Sequence, residues 1–164
     1  MKEGQDRERD LPHDVPFDEL LPRIRAIVGN TSREIALRRV CAILHDSVSH
    51  YDWVGFYRVD PPGSRELALG PFVGAPTEHA RIPFGKGVCG RAAEERATIV
   101  VQDVTREANY LSCSVNVKSE IVLPLMKGTL LLGELDIDSH TAAAFTDADR
   151  EFLIAVCECV SDLL

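Results

Sequence analysis

The run Glu134-Leu135-Asp136-Ile137-Asp138 constrains this chain more than any other, because acids and aliphatics alternate in it with a period of two. Successive side chains of a strand point to opposite faces, so Glu134, Asp136 and Asp138 share one face and Leu135 and Ile137 the other. Upstream, residues 122–126 are apolar and β-prone, and Lys127-Gly128 supplies a short turn into residues 130–135, so the two segments predict a hairpin. Like charges in line on one face repel one another. The arrangement therefore suits a wet face, or a place for a cation or a cationic polar ligand. Cys113 and a buried-looking carboxylate, Glu120, lead into this hairpin.

The rest of the chain reads as scaffold around that hairpin. At 164 residues it suffices for one domain with a real core. The 26 acids outweigh 18 Lys and Arg for a net charge of -8, which disfavours nucleic acid as a partner, since phosphate backbones attract clustered positive charge. No apolar run is long enough to span a bilayer, and the mixed-charge start Met1-Lys2-Glu3-Gly4 does not read as a signal or transit peptide, so no membrane role and a cytoplasmic location are expected. The 5 cysteines are irregularly spaced, which argues for free thiols in a reducing compartment rather than a disulfide framework.

Taken in order, residues 1–14 are charged and proline-flanked and read as a flexible arm, and residues 15–164 as the domain. Leu20, Leu21, Ile24 and Ile27 predict a helix over 17–28, with Pro22 in its first turn or at a kink. Thr31 or Ser32 caps a second helix with Leu37, Val40, Cys41 and Leu44 on one face, which makes Cys41 a packing residue. His45 and His50 follow as solvated or capping groups. Residues 52–60 and 66–73 predict a hairpin around Pro61-Pro62-Gly63-Ser64. Trp53, Gly55, Tyr57 and Val59 then share a face, where the aromatics either line a pocket or fill core. Residues 74–87 form a loop long enough to act as a lid, followed by a helix over 88–97, a strand over 98–104 and a polar connection over 105–114. Phe145-Thr146-Asp147-Ala148-Asp149 caps a last helix whose buried stripe is Phe152, Val156, Val160 and Leu163. Helices at both ends around an antiparallel sheet of about five or six strands give an α+β class.

Gly85-Lys86-Gly87-Val88-Cys89-Gly90 matches the dinucleotide fingerprint G-x-G-x-x-G, but the preceding segment is short and interrupted by Pro83, and too little chain follows for a doubly wound sheet. The glycines are better read as letting backbone approach a small ligand, and Cys89, near a helix start, would have its thiolate favoured by the dipole. Cys157 and Cys159 point to different helix faces and read as inert packing residues. No C-x-x-C pair or H-E-x-x-H run occurs, so no metal site is assigned, and Asp136 with Asp138 would hold a hard cation only within a larger oxygen cage.

The words Trp53-Val54-Gly55-Phe56-Tyr57, Leu69-Gly70-Pro71-Phe72, Arg81-Ile82-Pro83-Phe84-Gly85-Lys86-Gly87-Val88-Cys89-Gly90, Ser119-Glu120-Ile121-Val122-Leu123-Pro124-Leu125 and Leu135-Asp136-Ile137-Asp138-Ser139 together resemble the free methionine-(R)-sulfoxide reductases, small GAF-domain enzymes. The resemblance runs from about residue 17 to residue 164 and implies a single GAF domain. It implies that Cys113 is the nucleophile, Cys89 a second redox cysteine, and Glu120, Asp136 and Asp138 the acids that hold substrate. Trp53 and Tyr57 correspond to the aromatic wall at its methyl-sulfur end. It further implies reduction of free methionine sulfoxide through a cysteine sulfenic acid. Glu120 would serve as the acid, thioredoxin or a similar dithiol as reductant, no resident cofactor would be needed, and the protein would be a homodimer. A free ammonium, absent from a peptide-bound residue, suits the acids. The chain departs from the resemblance in two places: His79 stands where the family's best-described members carry a further cysteine, and Tyr110-Leu111-Ser112-Cys113-Ser114 lacks a histidine and an aspartate common there. A GAF module that binds a small ligand or acts as a sensor without turnover is the alternative these departures allow.

Overall fold

The computed structural model describes residues 14–108, 110, 111 and 115–164, so Cys113, Asn109 and the arm up to residue 13 lie outside the described residues. The strands are β1 (Trp53–Val59), β2 (Glu66–Val73), β3 (Arg81–Pro83), β4 (Ile99–Val101), β5 (Ser119–Lys127) and β6 (Leu130–Ser139). They form one six-stranded antiparallel sheet in the order β3-β2-β1-β6-β5-β4. The helices are α1 (Phe17–Gly29), α2 (Arg33–Ser47), α3 (Gly87–Glu95) and α4 (Asp147–Val160). This is the expected α+β architecture with six strands.

The two faces of the sheet have different coverings, and the period-two pattern assigns residues to each. Val54, Phe56, Ile121, Leu123, Leu125, Leu135 and Ile137 face a layer built by α1, α2 and α4 and are almost wholly buried. Each such aliphatic or aromatic side chain contributes about 1.5–3 kcal/mol by leaving water. Phe17 and Phe152 stack at 4.2 Å to join α1 to α4. Cys41 packs here as expected, its thiol 3.4 Å from the Pro71 carbonyl, and Cys157 is buried in the same layer. On the other face Trp53, Tyr57, Leu67, Val88, Cys89 and Val122 form a second cluster, covered by α3.

Several local expectations shift. Pro22 lies in the second turn of α1, and the helix runs through it. The proline removes only the hydrogen bond to the carbonyl of Asp18, a residue that water reaches. The β5–β6 reversal is Gly128-Thr129, since Lys127 pairs with Leu130 and Gly128 takes φ +60°. The lid-like loop over 74–87 contains β3, an edge strand in which Pro83 is tolerated because that side needs no ladder donor.

His50 also departs from a solvated or capping role at its helix end. Its ring meets Asp149 Oδ1 at 2.7 Å, and the Tyr51 hydroxyl donates to the same oxygen at 2.8 Å. Asp149 is itself half of the capping box with Thr146 that starts α4, as expected. Burial alone would raise the Asp149 carboxyl, but His50, Thr146 and Tyr51 hold it down at about 2, while Asp149 raises His50 above 6.5. The depressed acid stabilises the fold above its unfolded value near 3.8 and loses this as pH falls toward about 2. The raised imidazole stabilises it below 6.5 and loses this as pH climbs through the folded value. Asp149→Asn is therefore expected to cost about 2 kcal/mol, most fully between about pH 4 and about pH 6.5. Urea unfolding across that range checks it, and an equal cost at pH 5 and pH 9 would remove His50 from the effect.

Candidate functional site

The acid face predicted from β6 lies under α3, and it is not wet. Glu120, Glu134, Asp136 and Asp138 are all at most 2% exposed. Strand pairing brings them together with the aromatics: Trp53 lies opposite Asp138, Gly55 opposite Asp136 and Tyr57 opposite Glu134, while Glu120 pairs with Asp138 from the β5 side. The sheet thus sets Glu120, Asp136, Asp138, Trp53 and Tyr57, all expected site residues, on one face within two hydrogen-bonded strand pairs.

Glycine shapes this face. A Cβ on Gly55 would come within 2.3 Å of the Trp53 ring, and one on Gly74 within 2.5 Å, so two bare backbone positions seat the indole. The ring stacks on Phe72 with centroids 5.4 Å apart and donates Nε1–H to the Ala75 carbonyl at 3.0 Å. The Tyr57 hydroxyl donates to the His79 carbonyl at 3.0 Å, which ties the 74–80 connection across the pocket. Both aromatics therefore tie the 74–80 connection to β1.

Cys89 comes from α3 as its third residue, with its side chain turned into the acids. The thiol donates to Asp136 Oδ2 at 3.3 Å and reaches Glu120 Oε1 at 3.9 Å. Cys89 thus sits in the first turn of α3, at the positive end of the helix dipole, with its thiol turned to the acids. Gly85 and Gly87 take φ +83° and +62°, and Gly90 lies so close to the Pro83 carbonyl that a Cβ would approach it to 2.6 Å. The glycine-rich word thus turns a three-residue edge strand into α3 and lets the helix start against it, in a sheet unlike a dinucleotide-binding one.

Burial is the main force on the acids. It raises Glu120 well above the ordinary carboxylate range, with Asp136 and Asp138 adding to the effect. It raises Glu134 likewise, with Asp136 adding and the Cys89 thiol partly offsetting. Asp136 is also raised by burial, less so because Glu120 and Cys89 hydrogen-bond to it. The shifts favour the neutral acids over the ordinary carboxylates, with Glu120 donating to Asp136. Oxygens of Glu120, Glu134 and Asp136 have no hydrogen-bond partner of normal geometry among the described residues. Donor atoms of Cys89, Glu120 and Asp136 lie within 4.8 Å of one another, close enough to surround one small cation or ammonium.

Sequence reasoning placed Glu134 on the acid face without giving it a site role; its period-two spacing from Asp136 was the available signal. His79, noted in the sequence only as a departure from the resemblance, and Lys86, within the glycine-rich word, also border the site, lining with Tyr57, Gly87, Cys89 and Asp136 a cavity of about 10 Å³. A larger cavity of about 630 Å³ lies at the other end of the sheet beside Arg33, Arg58 and Leu164, and none of the expected site residues lines it. Cys113 lies outside the described residues, and so does its distance from Cys89.

A model of the GAF domain matches residues 30–164. GAF domain-containing protein A of Dictyostelium discoideum is 39% identical over 141 residues, 85% of this chain and 87% of that protein. The free methionine-R-sulfoxide reductase of Escherichia coli is 36% identical over 127 residues, 77% of this chain and 74% of that one. The X-ray structure of free methionine-R-sulfoxide reductase from Neisseria meningitidis in complex with its substrate superposes with a TM-score of 0.85 at 34% identity, covering 93% of this chain and 94% of that chain. With this sheet, this acid face and these relatives, the chain belongs to the GAF-domain family and, within it, to the free methionine-R-sulfoxide reductases.

Proposed function

We propose that this protein reduces free methionine-R-sulfoxide to methionine with its own thiols. The observation that carries the reading is the buried face on which Glu120, Glu134, Asp136 and Asp138 oppose Trp53 and Tyr57 beside Cys89. A pocket of protonated and ionised acids has one obvious complement in a free amino acid, its ammonium, which a peptide-bound residue lacks. The aromatic side then takes the apolar methyl-sulfur end. Similarity to reductases named for this substrate supports the same choice.

In this reading Asp136 and Asp138 hold the ammonium. Cys113 attacks the sulfoxide sulfur as a thiolate while Glu120 gives its proton to the sulfoxide oxygen. The oxygen passes to Cys113, methionine leaves with the electron pair on its sulfur, and Cys113 becomes a sulfenic acid. The Cys89 thiol condenses with it: the S–O bond breaks, an S–S bond forms, and water leaves carrying the thiol proton. A dithiol such as thioredoxin restores both thiols by exchange. The reading uses no resident cofactor, and it takes the protein to be a cytoplasmic homodimer paired through its helices. Among the described residues no helix is long and apolar enough to cross a membrane.

The test is methionine release in a thioredoxin-coupled assay, with the two sulfur epimers supplied separately and N-acetylmethionine sulfoxide as a control. The R epimer alone is expected to yield methionine, and the acetylated compound, which has no ammonium, is expected to lose at least about tenfold in kcat/KM. Saturable binding of methionine sulfoxide with no methionine released would establish a ligand-sensing module instead.

A further inference from the structure

Three elements converge on one small space: α3 brings Cys89, β5 brings Glu120 and β6 brings Asp136. The Cys89 sulfur lies 3.3 Å from Asp136 Oδ2 and 3.9 Å from Glu120 Oε1, and donor atoms of all three residues fall within 4.8 Å of one another. Tetrahedral zinc, with bonds of about 2.3 Å to sulfur and about 2.0 Å to oxygen, sets those two atoms about 3.5 Å apart. The two sulfur–oxygen distances straddle that edge. Unanswered polar atoms point the same way: Glu120 Oε2, Asp136 Oδ1 and both oxygens of Glu134 are buried with no hydrogen-bond partner of normal geometry among the described residues. Glu134 is wholly buried and shares the strand face of Asp136, two residues away, which places a fourth carboxyl beside the set. The cavity of about 10 Å³ that Cys89 and Asp136 line is the size of a single ion or water. Donors drawn from a helix and two strands leave no C-x-x-C or H-E-x-x-H spacing in the sequence.

We propose that the reduced protein binds one thiophilic divalent cation of the zinc class at Cys89, Glu120 and Asp136, and that this cation and the substrate ammonium exclude each other. The ligands are a thiolate and carboxylates, so the protons of Cys89 and Glu120 leave to water as the metal bonds form. A dication among these three donors offsets most of the charge that burial would otherwise oppose. Sulfur in the set selects zinc, cobalt or cadmium over magnesium and calcium, which take cages of about six or more oxygens. Bound there, the metal fills the ammonium seat and ties up the Cys89 thiol, so it acts as a reversible brake on the enzyme. The exclusion rests on the reductase reading, whereas the metal binding does not.

The experiment titrates the pre-reduced full chain with cobalt(II) without oxygen and follows the thiolate-to-cobalt charge-transfer band in the near ultraviolet, with zinc and magnesium as competitors. One equivalent of cobalt is expected to develop the band, zinc to abolish it and excess magnesium to leave it. Cys89→Ser is expected to remove the band, and Glu120→Gln and Asp136→Asn each to weaken cobalt binding at least about tenfold. Cys159→Ser, in the layer on the other side of the sheet, should bind as the wild type does. Zinc at about ten times its dissociation constant should slow methionine release in a single turnover about tenfold at low substrate, and EDTA should restore it. No thiolate band, a band that survives in Cys89→Ser, or binding untouched by both acid variants overturns the site. A band with methionine release undiminished by zinc overturns the exclusion. A protein whose band depends on Cys89 yet which releases no methionine from either sulfoxide epimer overturns the reductase reading and leaves the metal site standing.

Discussion

Cys113→Ser is expected to abolish methionine formation even in a single turnover with pre-reduced protein. The reaction needs a sulfur that can accept oxygen after attacking the sulfoxide, and a serine hydroxyl neither ionises near neutral pH nor forms the equivalent of a sulfenic acid. Cys89 is a poor substitute, because its thiol is 6% exposed and committed to the acids, 3.3 Å from Asp136 and 3.9 Å from Glu120. Cys41 and Cys157 are buried in the opposite layer, and burial raises both thiols far above their usual range. Quenched-flow measurement of methionine per protein gives the answer directly. A full equivalent from Cys113→Ser would transfer the nucleophile to Cys89.

Glu120→Gln is expected to keep the fold and to lower kcat by about 10²–10⁴-fold, the usual worth of a placed general acid. The amide preserves the shape of a side chain that is 2% exposed but has no acidic proton to give to the departing oxygen. The pH profile separates this from a packing effect. Burial, with Asp136 and Asp138, raises the Glu120 carboxyl, so the acid form persists well above the ordinary carboxylate range and is lost as pH climbs through the raised value. The wild type should therefore show a falling limb of kcat on the alkaline side, and Glu120→Gln should lack that limb. The same falling limb in the glutamine variant, or an unchanged rate, would take Glu120 out of proton transfer.

Much of the site was legible because strand periodicity is a local property. The alternation through Glu134, Asp136 and Asp138 put the acids on one face before any fold was known, and that through Trp53 and Tyr57 did the same for the aromatics. The capping box of Thr146 and Asp149 and the glycine turn into α3 were equally local, since each depends on a few neighbouring backbone groups. The resemblance of several ordered words supplied the chemistry that periodicity could not.

Burial was decided only in three dimensions. Alternation says which residues share a face, but whether water reaches that face depends on what packs over it, and here α3 and the 74–80 connection turn a seemingly wet acid strand into a dry, proton-holding one. Pairing across the chain lay equally beyond the sequence. His50 finds Asp149 99 residues away, Cys89 finds Asp136 47 residues away, and Arg91 finds Glu107 across a strand and a turn. The sequence determined the elements and the residue types each face would present, because those follow from local spacing. Tertiary structure decided which groups lose water and which charges meet, because both depend on contacts that chain order does not encode locally.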